Sequence, residues 1–221
     1  MRLLVFDFDG LILDTEAPVY DAWQGIYAEH GQMLDFARWA ECIGTHDVFD
    51  PAVELASLCG RALDVAALTA RHRIHCDALV AAQPVLPGVR EYLEEARRLG
   101  IRLGVASSSS RQWVDGHLER LGLRPYFEVV RCRDDVSVVK PDPALYLAVL
   151  AATGVDAREA IALEDSPNGV RAAKRAGLAC VAVPNSLTAR LDLTHADLTV
   201  PSLAHVGLGE LLRRLGAVRE G

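Results

Sequence analysis

The stretch from Leu3 to Glu16, L-L-V-F-D-F-D-G-L-I-L-D-T-E, decides how the rest of the chain is interpreted. Four apolar residues predict a buried strand, and this strand ends at two aspartates, Asp7 and Asp9. Alternate residues of an extended chain share a face, so these two like charges crowd each other unless a cation lies between them. Carboxylates suit a hard cation such as Mg²⁺, which is typically bound by one or two of them together with substrate phosphate. The alternative is an acidic turn that closes the strand.

From residue 84 onward, short apolar runs alternate with helical patterns. Pro87-Gly88 opens an amphipathic segment that Gly100 stops, and Asp142-Pro143 resembles an N-cap followed by a first-turn proline. Strands are predicted over residues 101–106, 127–130, 160–163 and 178–183. Alternating strands and helices indicate right-handed βαβ units, and therefore an α/β fold with a Rossmann-like parallel sheet covered on both faces.

Residues 16–83 interrupt this alternation, because they show helical patterns and no convincing strand. A crossover between neighbouring strands is far shorter than this segment. We therefore expect residues 1–15 and 84–221 to form the catalytic core and residues 16–83 to form an inserted, all-helical cap domain. The hinges would lie near residues 11–16 and 83–88.

The composition is that of an ordinary globular chain, with 221 residues, 51% hydrophobic and 24% charged residues, and a net charge of −7. The negative charge argues against a nucleic-acid or anionic-membrane partner, and no apolar stretch reaches the roughly 18 residues of a membrane span. We expect a cytoplasmic monomer. The five cysteines do not suggest a disulfide framework. His72, His75 and Cys76 could share a helix face and bind zinc, although no fourth ligand is evident nearby.

Polar side chains end or follow the predicted strands. They are Asp7 and Asp9, Ser107 with Ser108, Lys140, and Glu164 with Asp165. In an open parallel sheet, ligands bind beyond the carboxyl ends of the strands, so these groups are expected to meet at one place. Lys140 and Lys174 are the only lysines in a chain that otherwise uses arginine. A compact, point-charge cation at Lys140 therefore suggests a specific role.

The chemistry that these groups suit is phosphoryl transfer, which demands in-line positioning and charge neutralisation. An aspartate can act as the nucleophile and carry a covalent phosphoryl group. A second carboxylate two residues further on could protonate the leaving oxygen and then activate water. Mg²⁺ would be bound by Asp7 and Asp165, while a hydroxyl, backbone amides and Lys140 would hold the phosphoryl oxygens.

This arrangement resembles the haloacid dehalogenase superfamily, specifically its members with a helical cap inserted after the first motif. D-F-D-G-L-I-L-D-T-E resembles the first motif, V-A-S-S-S the second, the lysine of V-K-P-D-P the third and E-D-S-P-N-G the fourth. The roles that this resemblance implies are a nucleophile (Asp7), a general acid/base whose backbone carbonyl also meets the metal (Asp9), phosphate binding (Gly10, Ser107, Ser108 and Lys140), a Mg²⁺ ligand (Asp165) and a supporting carboxylate (Glu164). The expected activity is Mg²⁺-dependent hydrolysis of a small phosphorylated metabolite, such as a sugar phosphate, through an aspartyl-phosphate.

Two alternatives remain open. The first is a sugar phosphomutase resembling the β-phosphoglucomutases, which use a cap arginine shortly after a glycine to hold the second phosphate of the substrate. The corresponding loop here reads I-G-T-H-D and contains no arginine, which favours a phosphatase. By position, His46 and Asp47 of this loop are candidates for substrate specificity. The second alternative is a non-catalytic, ligand-binding relative, which the presence of both Asp7 and Asp9 disfavours.

Overall fold

The computed structural model describes residues 1–45 and 49–220, and in these residues six strands form one parallel sheet. The strands are β1 (Leu3–Phe6), β2 (Arg102–Ala106), β3 (Val129–Arg131), β4 (Ala160–Glu164), β5 (Ala179–Ala182) and β6 (Leu198–Thr199). Their order across the sheet is β3-β2-β1-β4-β5-β6, and every neighbouring pair is parallel. The predicted fold class, a Rossmann-like α/β fold, is confirmed.

The described helices lie within the predicted cap segment and on the two faces of the sheet. Within the cap segment they are α1 (Glu16–Glu29), α2 (Phe36–Ala40), α3 (Pro51–Cys59) and α4 (Val65–Ala81). Around the sheet they are α5 (Val89–Arg98), α6 (Arg111–Arg120), α7 (Ala144–Thr153), α8 (Pro167–Arg175) and α9 (Leu208–Glu220). Among the described residues, no helix combines the length and the apolar character needed to cross a membrane.

The central strand β1 is apolar because both of its faces are covered. All four of its side chains are fully buried, as expected for the middle of a parallel sheet. Leu4 and Phe6 pack on one face with side chains of α5, α6 and α9, whereas Leu3 and Val5 pack on the other with α7 and α8. Fully burying such side chains contributes about 1.5–3 kcal/mol each. The motif that follows β1 therefore starts from the buried centre of the sheet.

Several element boundaries differ from the sequence prediction by one or two residues, and two of these differences have a clear structural reason. The strand expected over residues 127–130 begins at Val129, because Arg124–Tyr126 forms a 3-10 turn and Phe127 packs edge-on against Phe6 at 5.9 Å between ring centroids. Helix α7 begins at Ala144 rather than Pro143. Asp142 still satisfies the helix start, since its Oδ1 accepts a hydrogen bond from the Ala144 backbone N–H at 2.9 Å.

The helices α1 to α4 share an apolar core of their own. It contains Tyr20, Trp23, Ile26, Tyr27, Leu34, Trp39, Ile43, Ala52 and Leu55, together with Leu187 from the main body. The two connections to the sheet run side by side, and the Leu86 N–H donates to the Ile12 carbonyl at 3.0 Å. The division into core and cap domains stays a prediction, which this separate apolar core supports.

Candidate active site

The strand ends place the predicted catalytic residues along one edge of the sheet. The Asp7 N–H donates to the Leu163 carbonyl and the Ser107 N–H to the Arg131 carbonyl, both at 2.9 Å. The backbone ladder therefore continues past β1 and β2 and fixes these two residues. Glu164 is the last residue of β4. From β1 the chain adds β2 and β3 on one side of the sheet and then β4 to β6 on the other, so the strand order reverses between β1 and β4. An open α/β sheet forms its ligand crevice at this switch point.

Lys140 joins two of the carboxylates. Its Nζ lies 2.5 Å from Asp7 Oδ1 and 2.6 Å from Glu164 Oε1, and its side chain is only 1% exposed. Burial by itself lowers the pKa of a lysine, but the negative charges of Asp7 and Glu164 raise the pKa of Lys140 above its ordinary value. The ammonium group is therefore charged, directional and adjacent to the predicted nucleophile.

Glu164 is surrounded by groups that hold it against Lys140. The Tyr146 hydroxyl donates to Glu164 Oε1 at 2.6 Å, and the Ser166 hydroxyl donates to Oε2 at 3.3 Å. A Cβ on Gly169 would lie 1.9 Å from Glu164 Oε2, so only glycine fits there. The fully buried carboxylate thus positions the lysine, in line with the supporting role expected for it. The sequence analysis did not identify Tyr146, because an aromatic residue in an apolar helix resembles any core residue.

Three buried carboxylates form the one potential metal-binding group found among the described residues. Oxygens of Asp7, Glu164 and Asp165 lie within 4.8 Å of one another. Burial, followed by the charges of Asp7 and Glu164, raises the pKa of Asp165. Burial is also the largest influence on the pKa of Asp7. The positive charge of Lys140 lowers this pKa, but burial and the negative charges of Glu164 and Asp9 outweigh it and raise the pKa of Asp7 to about 8. Asp165 Oδ1 is buried and has no hydrogen-bond partner among the described residues. This donor set, with excess negative charge and a free oxygen, fits a hard divalent cation.

Gly10 allows the first and fourth motifs to approach each other. It adopts a left-handed conformation with φ of +80°, and a Cβ would lie 2.4 Å from Asp165 Oδ2. Asn185, which the sequence analysis missed, donates from its side-chain amide to the same Asp165 oxygen at 2.8 Å and to the Gly10 carbonyl at 3.3 Å. Asn185 therefore orients one oxygen of Asp165 and links it to the first motif. A phosphate-binding role for Gly10 stays a prediction.

Asp9 lies beside this cluster and accepts four hydrogen bonds from side chains of the described residues. Thr15 Oγ1 and Trp113 Nε1 donate to its Oδ1 at 3.0 and 2.9 Å, while Ser107 Oγ and Ser109 Oγ donate to its Oδ2 at 3.2 and 2.7 Å. Thr15 and the serine run are visible in the motifs, but the sequence analysis assigned no role to Thr15, Ser109 or Trp113. Trp113 carries no motif signal, since only the fold brings α6 against Asp9.

The cap segment reaches the core through the loop after α2. Ser108 Oγ donates to the Gly44 carbonyl at 3.1 Å, and the Asn168 side-chain amide donates to the Ile43 carbonyl at 2.9 Å. Gly44 has φ of +76°, and a Cβ there would lie 2.2 Å from Ser166 Oγ. The loop is thus held by its backbone. The predicted specificity residues, His46 and Asp47, lie outside the described residues.

A cavity of about 400 Å³ lies between this loop and the sheet edge. Its described lining consists of Asp7, Asp9, Thr15, Glu16, Val19, Trp39, Cys42, Gly44, Thr45, Ser108, Ser109, Ser110, Trp113 and Arg133. Burial, followed by the charges of Asp9, Asp7 and Asp14, raises the pKa of Glu16 to about 8. Arg133 is the one cationic residue of this described lining. The volume suits a small organic molecule.

Comparison with known proteins assigns the chain to a family. Residues 4–183 match the family model of the haloacid dehalogenase-like hydrolases. The chain belongs to this family. It is 43% identical to "Putative phosphatase YhcW" of Bacillus subtilis (strain 168), over 98% of this chain and 99% of that protein. The family resemblance expected from the motifs is confirmed, and the protein is a phosphoester hydrolase.

Two further relatives agree with this assignment. The chain is 30% identical to the validoxylamine A 7'-phosphate phosphatase of Streptomyces hygroscopicus subsp. limoneus, over 93% of this chain and 98% of that protein. The crystal structure of CbbY from Rhodobacter sphaeroides in complex with phosphate superposes with a TM-score of 0.73 at 30% identity, covering 96% of this chain and 99% of that one. The relatives named as phosphatases argue against a non-catalytic ligand-binding protein.

The zinc site on the cap helix α4, which the lack of a fourth ligand already disfavoured, is not supported by the described residues. His72 and Cys76 are buried against α1, where the His72 ring stacks on Trp23 at 4.2 Å and its Nε2 lies 3.1 Å from the Val19 carbonyl oxygen. His75 is exposed instead of sharing that environment. No group of potential metal ligands in the described chain includes these residues. They are packing residues of the cap segment.

Proposed function

We propose that the protein is a Mg²⁺-dependent phosphatase that hydrolyses a small phosphorylated metabolite, such as a sugar phosphate, through an aspartyl-phosphate on Asp7. One observation carries the proposal. Asp7 lines the cavity while its carboxylate contacts the buried ammonium of Lys140 and lies within 4.8 Å of Asp165. A nucleophile, a fixed positive charge and carboxylate ligands for a cation are the parts that phosphoryl transfer needs.

In the first step, the Asp7 carboxylate attacks phosphorus and the bond from phosphorus to the leaving oxygen breaks. Asp9 gives its proton to that oxygen and becomes a carboxylate. In the second step, Asp9 takes a proton from water as the water oxygen attacks phosphorus, which releases phosphate and restores Asp7. Lys140 and Ser107 hold the phosphoryl oxygens in both steps. The two carboxylates thus divide covalent and proton-transfer chemistry between them.

A cation completes the site. Held by Asp7, Asp165 and the backbone carbonyl that the family resemblance implies for Asp9, Mg²⁺ would neutralise phosphoryl charge and lower the pKa of Asp7 from about 8, so that the nucleophile is ionised at neutral pH. Asn185 and Lys140 keep the two carboxylates in place from the protein side.

The cavity walls support a phosphorylated carbohydrate or polyol as the substrate class. Glu16 offers a carboxyl group to hydroxyls, Trp39 offers an aromatic surface, and Arg133 offers a cation at the opposite, core side. A relative acts on validoxylamine A 7'-phosphate, as its name states. We propose that the cap segment, residues 16–83, covers the substrate during chemistry and opens to exchange phosphate for the next substrate.

The test is a phosphate-release screen with Mg²⁺ over sugar phosphates, polyol phosphates, nucleotides and short acid phosphates. Wild-type protein is expected to release phosphate, D7N to lose turnover, and D21N, a change at an exposed carboxylate of α1, to retain it. Beryllium fluoride, which mimics a phosphoryl group on aspartate, should bind wild-type protein and not D7N. Near wild-type turnover in D7N would refute the aspartyl-phosphate mechanism.

The same screen separates hydrolysis from phosphoryl migration. β-Glucose 1-phosphate should yield free phosphate, because residues 43–47 contain no arginine to hold a second phosphate. Conversion to glucose 6-phosphate without phosphate release would instead establish the mutase.

A further inference from the structure

The indole N–H of Trp113 donates a hydrogen bond to Asp9, the predicted general acid/base. Trp113 lies in the first turn of α6 and lines the cavity, and its Nε1 donates to Asp9 Oδ1 at 2.9 Å. No motif of the sequence points to this residue. Its contact is with the carboxylate and not with the predicted phosphate-binding groups, so any effect on chemistry passes through Asp9.

The indole ring is held rigidly by its neighbours. The Trp113 backbone N–H donates to Ser110 Oγ at 3.3 Å, which fixes the start of the helix. The ring meets His117, one turn further on, edge-on at 4.4 Å between centroids, and His117 stacks on Phe8 at 6.3 Å. Burial, followed by the charge of Arg120, lowers the pKa of His117, so an uncharged imidazole supports the indole at neutral pH. The donor is pre-positioned rather than drawn in by Asp9.

The four donors on Asp9 differ in one chemical respect. Thr15, Ser107 and Ser109 contribute hydroxyls, which can rotate and accept a hydrogen bond instead of donating one. The indole N–H of Trp113 can only donate. A protonated carboxyl group has one O–H and one oxygen that still accepts. Of the two oxygens, the carbonyl oxygen is the better acceptor, so the hydrogen bond from Trp113 Nε1 to Oδ1 favours the proton on the other oxygen, Oδ2.

From this geometry, and resting on the phosphatase mechanism proposed above, we infer that Trp113 is a positioning residue that directs the proton of Asp9 to Oδ2. Oδ2 lies on the side of Ser107 and Ser109, whose hydroxyls accept from the protonated form after rotation. The proton then passes from Oδ2 to the leaving oxygen as the bond to phosphorus breaks. Asp9 becomes a carboxylate with Oδ1 still bonded to Trp113. The indole N–H of Trp113 keeps its proton throughout this step.

The kinetic test compares two aryl phosphates of similar shape. Phenyl phosphate has a poor leaving group that needs protonation, whereas p-nitrophenyl phosphate has a good one that needs little. Losing a hydrogen bond to a charged group should lower kcat/KM of W113F for phenyl phosphate roughly tenfold, with p-nitrophenyl phosphate changing less than about twofold. W23F, which alters a buried tryptophan of the cap core outside the cavity, is the matched control and should change neither.

A double-mutant cycle and a spectroscopic measurement separate positioning from packing. If Trp113 acts through Asp9, W113F should change phenyl phosphate turnover less than about twofold in a D9N background. The chain has three tryptophans, so an amide-correlation NMR spectrum shows three indole N–H signals. D9N should shift the signal that is missing in W113F far more than the other two. This shift is measurable whether or not the protein turns over either compound.

The possible results distinguish a failure of the Trp113 role from a failure of the phosphatase proposal. Equal losses of W113F on both compounds, additive effects with D9N, or an unmoved Trp113 indole signal in D9N would each overturn the role of Trp113 while leaving the phosphatase proposal standing. Failure of the wild type to hydrolyse any phosphate ester with Mg²⁺ would overturn the proposed function and, with it, the role of Trp113, even if the NMR shift confirms the hydrogen bond.

Discussion

Replacing Lys140 by methionine should destabilise the protein far more than the same change at Lys174. Lys140 Nζ contacts Asp7 and Glu164 with its side chain 1% exposed, so K140M leaves buried carboxylates without their cation. Breaking a buried pair on one side costs about 3–5 kcal/mol. Lys174 pairs with Asp197 at 2.6 Å but is 37% exposed, and such surface pairs contribute about 0–1 kcal/mol.

Thermal unfolding in Mg²⁺-free buffer measures the difference. For a chain of this size, 1 kcal/mol corresponds to about 2–4 °C, so K140M should lower Tm by about 6–20 °C and K174M by less than about 4 °C. Removing Lys140 also raises the pKa of Asp7 further above about 8. The folded variant then binds a proton that the unfolded chain releases, so its deficit should be larger at pH 8.5 than at pH 5. Equal Tm shifts for the two variants would refute the argument from burial. In assays with Mg²⁺, K140M should also lose about 10²-fold in kcat through lost charge neutralisation, and K174M almost nothing.

Three further predictions concern the cap loop, the metal site and pH. G44A should lower turnover, because the added Cβ would lie 2.2 Å from Ser166 Oγ and displace the cap loop from the core. The control G31A introduces similar left-handed backbone strain but has no atom outside its chain neighbours within 4 Å of the added Cβ, so it should retain turnover. Equal losses for the two variants in steady-state assays would contradict the role of the close approach at Gly44. D165A should raise the Mg²⁺ concentration for half-maximal rate roughly tenfold or more by removing a carboxylate ligand, and an unchanged metal titration would make Asp165 only a helix-start acid. Burial and neighbouring acids raise the pKa of Glu16 from 4.5 to about 8, so wild-type stability should fall as pH rises through that window. Urea unfolding without Mg²⁺ should therefore find E16Q more stable than wild type by about 1–2 kcal/mol at pH 8.5, a value reduced for partial exposure, and equally stable at pH 4.5. The absence of a pH-dependent difference would count against the raised pKa of Glu16.

The fold class and the residues of the sheet edge could be predicted because both depend on local pattern. A run of apolar residues fully buried in β1, followed at once by Asp7, predicts a strand end with a carboxylate whatever the rest of the chain does. Parallel strands bring such ends together, so Ser107, Lys140 and Asp165 were expected at the same place. Helical spacing alone could not decide the disfavoured zinc site, because it says nothing about packing. Helical spacing put His75 near His72 and Cys76, but packing against α1 buried two of them and left His75 in solvent.

The amino-acid sequence by itself determined the parallel sheet, the helical insertion and the motif residues, because strand and helix periodicity and strand-end chemistry are properties of neighbouring residues. Only the tertiary structure decided which partners those residues meet. Tyr146 on Glu164 and Trp113 on Asp9 are contacts across 18 and 104 positions. An aromatic residue in a helix carries no local sign of whether its polar atom faces the core, the solvent or a carboxylate. That choice depends on how the helices lie on the sheet, since only packing sets the distance between groups far apart in the chain.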